Sequence, residues 1–182
     1  MGITRLNHAV LYVSDLARSV AFYCDVLGFR EVAMTPPGMR AAFLQAPDST
    51  NDHDLGLFEI GPVGRGPAGG QGPDPAAGRR VPGVGLYHLA WEVDTLETLE
   101  STARRLAAVG ALVGATDHGT TKSLYGKDPD GIEFEVVWVV PADQLDDEAR
   151  AARSRLRPLD LEAAKARYGS RTRGGVGVSV PV

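Results

Sequence analysis

Leu6-Asn7-His8-Ala9-Val10 returns eighty residues later as Leu86-Tyr87-His88-Leu89-Ala90, and this repetition decides how the chain is read. At the same offset Val13 matches Val93 and Leu16 matches Leu96. Each copy reads as a short strand that stops at a polar cluster, Ser14-Asp15 or Asp94-Thr95. Such side chains accept the free N–H groups that open a helix. Apolar residues then recur at helical spacing over residues 16–27 and 96–109, and each run meets a glycine, Gly28 or Gly110. Glycine suits the left-handed turn that ends a helix. Strands are expected next, over residues 30–34 and 112–115.

The two halves also close alike. Leu57-Phe58-Glu59-Ile60 resembles Glu133-Phe134-Glu135-Val136, each a strand that carries a glutamate among apolar neighbours. Asp128-Pro129-Asp130-Gly131 is a turn signal between strands expected at 122–126 and 132–140. In the first half, residues 39–45 read as a strand and 47–51 as its turn. Each half is therefore strand, helix, then three strands. The expected fold is α+β: two paired βαβββ modules, residues 4–62 and 84–141, forming a curved eight-stranded mixed sheet with helices outside. Residues 63–83 are crowded with glycine and proline and read as a linker. Residues 142–168, rich in Ala, Arg, Asp, Glu and Leu, read as a helical extension, and 169–182 as a flexible tail.

Composition narrows the function. A formal charge of -4 argues against nucleic acid, whose phosphates call for a basic face. No run approaches the roughly 18 apolar residues that span a bilayer, and the first residues lack the layout of a secretion signal. The single cysteine, Cys24, lies in an apolar helical stretch and reads as a packed thiol. A cytoplasmic protein with no nucleic-acid or membrane partner is expected.

Strands alternate their faces, so a repeated module puts matching residues on matching faces. His8 and His88 lead their first strands, while Glu59 and Glu135 sit in their last. Two histidines and a carboxylate with further positions open suit Fe2+, with Mn2+, Ni2+ or Zn2+ as alternatives. A carboxylate in an apolar strand is costly to bury unless paired, and a metal would pair it. His8, His88 and one of the last-strand glutamates are the expected ligands. Trp91, Phe134 and Trp138 read as packing residues.

The order His8, His88, Glu135, the Leu27-Gly28-Phe29 that ends the first helix, and the Asp128–Gly131 turn resemble the vicinal oxygen chelate superfamily. That superfamily includes glyoxalase I, extradiol ring-cleaving dioxygenases, methylmalonyl-CoA epimerase and drug-binding resistance proteins. The resemblance covers roughly residues 4–141, points to Glu135 as the metal glutamate and implies a homodimer. The segment around His53 looks like the place where extradiol dioxygenases keep a further histidine. The block from Asp117 to Glu135 is similar to the closing signature of catechol 2,3-dioxygenases, with His118 and with Tyr125 ten residues before the metal glutamate.

By that resemblance the chain is an Fe2+-dependent extradiol dioxygenase acting with O2 on a small aromatic diol. His53 is the expected base for the catechol protons, because imidazole titrates near neutrality. Unbroken alternation would put His53 on the face of Leu55, Leu57 and Glu59. His118 and Tyr125 are expected to orient substrate and oxygen. If Glu59 is a fourth ligand, a glyoxalase I-like lyase or isomerase, or an epimerase, becomes the reading. A metal-free drug-binding resistance protein is the third.

Overall fold

The computed structural model describes residues 2–3, 5–61, 85–154 and 156–175. They form two compact units: Met1–Gly85 together with Asp128–Gly131, and Leu86–Lys127 together with Ile132–Val182. The expected linker, 63–83, and the end of the tail, 176–182, lie outside the described residues.

The first unit runs β1 (Ala9–Val13), α1 (Leu16–Ala21), β2 (Arg30–Val32), β3 (Ala41–Gln45) and β4 (Leu55–Glu59). Its sheet has the order β1-β4-β3-β2, with β1 parallel to β4 and the other pairs antiparallel. The Asp15 side chain caps α1 by accepting from the Arg18 N–H at 2.9 Å. One face of the sheet is core: Leu11, Val13, Ala42, Leu44, Leu55 and Leu57 are buried. Each fully buried leucine contributes about 1.5–3 kcal/mol. On the other face Val10 is 52% and Tyr12 70% exposed.

α1 continues into a π-helical turn, Phe22–Val26, that turns Tyr23 and Val26 inward. The buried Tyr23 hydroxyl bonds Asp128 Oδ2 at 3.1 Å. Asp130 accepts from the Ser14 N–H at 2.9 Å and from Arg18 at 2.8 Å. The Asp128–Gly131 turn is thus a structural member of the first unit, although it joins two strands of the second repeat. Burial, then the Asp128 carboxylate, hold the Tyr23 phenol well above its ordinary value, so it stays a donor. Cys24 is half-buried, and burial followed by Glu31 and Asp25 push its thiol up, as fits a packed, unreactive sulfur.

The second unit runs β5 (Leu89–Glu92), α2 (Leu96–Ala108), β6 (Leu112–Asp117), β7 (Thr121–Lys127) and β8 (Glu133–Val139). The eight expected strands are present, four in each module. Here the sheet order is β5-β8-β7-β6-β9, the last strand coming from the extension. β8 alternates cleanly: Phe134, Val136 and Trp138 are buried, and Glu133, Glu135 and Val137 take the other face. Leu96, Leu99 and Leu106 of α2 are fully buried. The burial of Phe134 and Trp138 bears out their reading as packing residues.

The extension departs from expectation. Instead of one helical stretch, it breaks into a 3-10 turn (Ala142–Gln144), α3 (Asp147–Ala151), β9 (Arg157–Pro158) and α4 (Leu161–Tyr168). Pro158 lacks an N–H, so it interrupts a helix but is tolerated in an outermost strand. Nor is the start of the tail loose. Ser170 O accepts from the Glu97 N–H at 2.9 Å, and the Gly174 N–H donates to Asp94 O at 2.8 Å. Thr172 O accepts from Trp138 Nε1 at 3.3 Å.

Candidate metal centre

In the second unit the ladder brings four of the expected residues together. Ala90 of β5 lies opposite Glu135, and Glu135 lies opposite Tyr125 of β7. His88, just ahead of β5, has Nε2 3.1 Å from Glu135 Oε2. Tyr125 packs edge-on against His88, with ring centroids 5.9 Å apart. Its hydroxyl is 3.0 Å from His118 Nε2, a hydrogen bond whose direction follows the imidazole tautomer. Burial, then the Glu135 carboxylate, raise the Tyr125 phenol, so it remains protonated and able to donate.

Glu133 shares a face with Glu135, as the two-residue spacing requires, and no bulge separates them. Its cross-strand neighbour Lys127 lies 3.7 Å away, so its charge is answered at the turn end of the ladder.

In the first unit His8 and His53 stand with ring centroids 4.6 Å apart, and His53 meets the edge of Phe43 at 5.0 Å. The His53 side chain is 12% exposed, not a solvated turn group. Its Nδ1 lies 3.1 Å from Asp52 Oδ1 but without the alignment of a hydrogen bond. The alternation that would align it with Leu55 and Leu57 stops short of it, because β4 starts at Leu55. Phe43 is opposite Gly56, so His53 lies toward the face of Gly56 instead.

Two asparagines that the sequence reading missed hold this corner. Asn7 Nδ2 donates to Asn51 Oδ1 at 3.0 Å, and Asn51 Nδ2 donates to Asn7 O at 2.8 Å and His53 O at 2.7 Å. Asn7 Oδ1 is 2.8 Å from His8 Nδ1. An acceptor there keeps the proton on Nδ1 and leaves Nε2 with its lone pair, the arrangement of a ligating imidazole. The two hydrogen bonds between Asn7 and Asn51 span forty-four residues, so no local pattern announces them.

The register corrects the pairing of Glu59 with Glu135. Ala9 lies opposite Leu55 and Leu89 opposite Phe134, so Glu135 corresponds to Gly56. Glu59 is three residues further on and corresponds to Trp138, on the helix-facing side. There Glu59 Oε2 accepts from the Leu16 N–H at 3.3 Å while Oε1 is bound by Arg40. Trp138 Nε1 likewise donates to Asp94 O, ahead of α2, at 3.2 Å. Glu59 is therefore engaged at the start of its helix, and the position of the second carboxylate is a glycine. A Cβ on Gly56 would find only ordinary contacts of 3.5–3.6 Å, so its side of the sheet has room.

One pair of donors has the spacing that a divalent ion would need. Two ligands about 2.1–2.2 Å from an ion and at right angles to each other stand about 3 Å apart. His88 Nε2 and Glu135 Oε2 have that separation. Among the described residues, no three His, Cys, Asp or Glu side chains are gathered into an ion site within either unit. His8 belongs to the first unit, and His88 and Glu135 to the second. Among the described residues, no helix is long and apolar enough to cross a membrane.

The chain is similar to several proteins of described activity or known structure. Over 140 residues the chain is 29% identical to a catechol-2,3-dioxygenase of Bacillus subtilis, covering 73% of this chain and 41% of that protein. It is 35% identical over 134 residues to a biphenyl-2,3-diol 1,2-dioxygenase of Rhodococcus globerulus, covering 72% and 62%. The chain thus spans less than two thirds of either dioxygenase. A probable lactoylglutathione lyase of Synechocystis sp. is 28% identical over 145 residues, 72% of this chain and 93% of the lyase. Among solved structures, a glyoxalase/dioxygenase from Nostoc punctiforme superposes with a TM-score of 0.54 at 22% identity, covering 73% and 89%. The profile of the Glyoxalase/Bleomycin resistance protein/Dioxygenase superfamily matches residues 5–136. With that match over both repeats, the chain belongs to the Glyoxalase/Bleomycin resistance protein/Dioxygenase superfamily.

Proposed function

We propose that the protein is an extradiol-type ring-cleaving dioxygenase that uses Fe2+, O2 and a small catechol-like diol. The observation that carries the reading is the line His88, Glu135, Tyr125, His118 in one sheet, combined with glycine at the position corresponding to Glu135 in the other repeat. His8, His88 and Glu135 would hold the ion. When bound, the metal supplies a Lewis acid with open positions for two adjacent substrate oxygens. A second carboxylate, as a fourth protein ligand, would take one of those positions, and Gly56 offers none.

The chain's own groups do the rest. His53 is the base that takes a catechol proton, with its imidazole beside that of His8. Tyr125 stays protonated and points a donor at the substrate oxygens. His118 orients the Tyr125 hydroxyl through their hydrogen bond. The proposal includes a homodimer in the cytoplasm.

The lactoylglutathione lyase relative supports a second reading, proton-transfer chemistry on a thiohemiacetal, because this chain matches 93% of that protein's length. Two assays separate the readings. Oxygen uptake with catechols after anaerobic Fe2+ loading, giving a yellow ring-opened product, is expected. Turnover of methylglyoxal plus glutathione with Ni2+ or Zn2+ and no oxygen demand would replace the first reading with the second. Ring cleavage unchanged in His53→Ala would remove the base assigned here.

A further inference from the structure

His118 opens the three-residue loop 118–120 between β6 and β7, whose closure is built from behind. The His118 N–H donates to Thr121 O at 3.0 Å, and the Val140 N–H reaches Thr120 O at 2.9 Å. Lys122 follows the loop and, by strand alternation, points to the opposite face of β7 from Tyr125. Its ammonium, on a side chain only 3% exposed, donates to Asp117 Oδ1 at 2.5 Å and to Gly119 O at 3.0 Å. Asp117 Oδ1 also accepts from the Gly119 N–H at 2.7 Å. The residues immediately before and after His118 are therefore fastened to one buried cation.

The extension supplies the burial. β9 pairs with the end of β6, setting Pro158 opposite Thr116 and Arg157 opposite Asp117. Gly119, at φ +80°, packs so closely on α3 and the turn after it that a Cβ would overlap the Ala149 carbonyl and come within 2.7 Å of Ala152 Cβ. From α4, Tyr168 lays its ring 5.3 Å from the Lys122 ammonium. Arg167 stacks on the same ring at 5.1 Å and is tied to Asp146 at 2.6 Å. Burial pulls the Lys122 amine down from its ordinary value, opposed chiefly by Asp117, so the charge depends on this partner.

We propose that Lys122 is a positioning residue for His118, and that the extension beyond Pro141 serves to bury the Lys122 ammonium against Asp117 and Gly119. The brace sets the distance between the His118 imidazole and the Tyr125 hydroxyl without touching substrate. Its catalytic consequence rests on the ring-cleavage reading above; its structural consequence does not.

The test compares Lys122→Met with the parent protein, using the full chain. In the metal-free protein, the His118 side-chain resonances are expected to shift in Lys122→Met while those of His8 and His53 stay in place. In the Fe2+-loaded enzyme, kcat on a catechol is expected to fall about tenfold or more with KM within about twofold, since small misplacements of a reacting group are costly. Adding Lys122→Met to His118→Ala is expected to cost nothing further in kcat. Asp117→Asn, which keeps an acceptor for the Gly119 N–H, gives the same shifts in smaller measure and serves if the lysine variant does not fold. Unmoved His118 resonances, or additive losses in the double variant, overturn the brace. Shifted resonances in a protein without ring-cleavage activity sink the functional reading and leave the brace standing.

Discussion

The two repeats keep the same scaffold and carry different chemistry on the face away from their helices. In the first, the positions next to the lead histidine are Phe43 and Gly56, and His53 enters from the loop ahead of β4. In the second, the corresponding positions are Tyr125 and Glu135, and His118 enters from the β6–β7 loop. The helix-facing side is mainly apolar in both, with Glu59 in the first and Lys122 in the second as charged members of it. The buried faces of the two repeats match in pattern, and their open faces differ. The second repeat has a carboxylate, Glu135, where the first has Gly56.

The largest expected effect is at that carboxylate. Glu135→Ala should abolish stoichiometric iron binding and lower oxygen uptake by about a thousandfold or more, checked by metal analysis and an oxygen electrode. Full iron content in this variant would end the idea that the second repeat supplies the anion.

The two faces of the first sheet differ next. Leu57, fully buried, should cost about 3–5 kcal/mol as Leu57→Ala, while the exposed Val10→Ala should stay within about 0.5 kcal/mol. Urea melts of both variants make the comparison, and similar midpoints would contradict the burial pattern.

Gly56→Glu sharpens the difference between repeats directly. The site has room for a Cβ, so the variant should fold, bind iron at least as tightly and lose about tenfold in oxygen uptake by filling an open position. Unchanged uptake would mean that Gly56 does not face the ion.

The smallest effect is on pH. Asp146 is held below its ordinary range, first by the Ala149 N–H and then by Arg167, and Glu100 by Lys165. A carboxylate with a lowered folded pKa stabilises above its unfolded value, about 4, and that contribution fades as pH falls through the folded value. Limited proteolysis should therefore release the extension more readily below about pH 4 than at pH 6. Equal cleavage at the two values would show that these pairs do not hold it.

Much of this was legible in the sequence because it is local. Polar caps, helical spacing and the terminal glycines mark each βα unit, and the returning histidine marks the duplication. His88 stood out through the repeat, and Tyr125 and Glu135 through their likeness to the family's closing signature. Glu59 misled because the Phe-Glu pair it shares with Glu135 is a likeness of letters. Which residue lies opposite β1 is set by the ladder, and that put Gly56, not Glu59, in the corresponding place. Asn7 and Asn51 were invisible for the same reason: they act across a gap that no short pattern bridges. The extension's composition favours helix, but Pro158 and the outer edge of β6 together make a strand there.

The Asp128–Gly131 turn bears on how the polypeptide can be dissected. A fragment ending at Gly85 would retain Tyr23 without its acceptor, leaving a hydroxyl stranded in the interior at a cost of about 1–3 kcal/mol. Ser14 and Arg18 would lose their shared anion as well. Although the sequence reads as two tandem copies, expression of either copy by itself should yield an unstable product, and mixing the separate pieces should restore more order than either has alone.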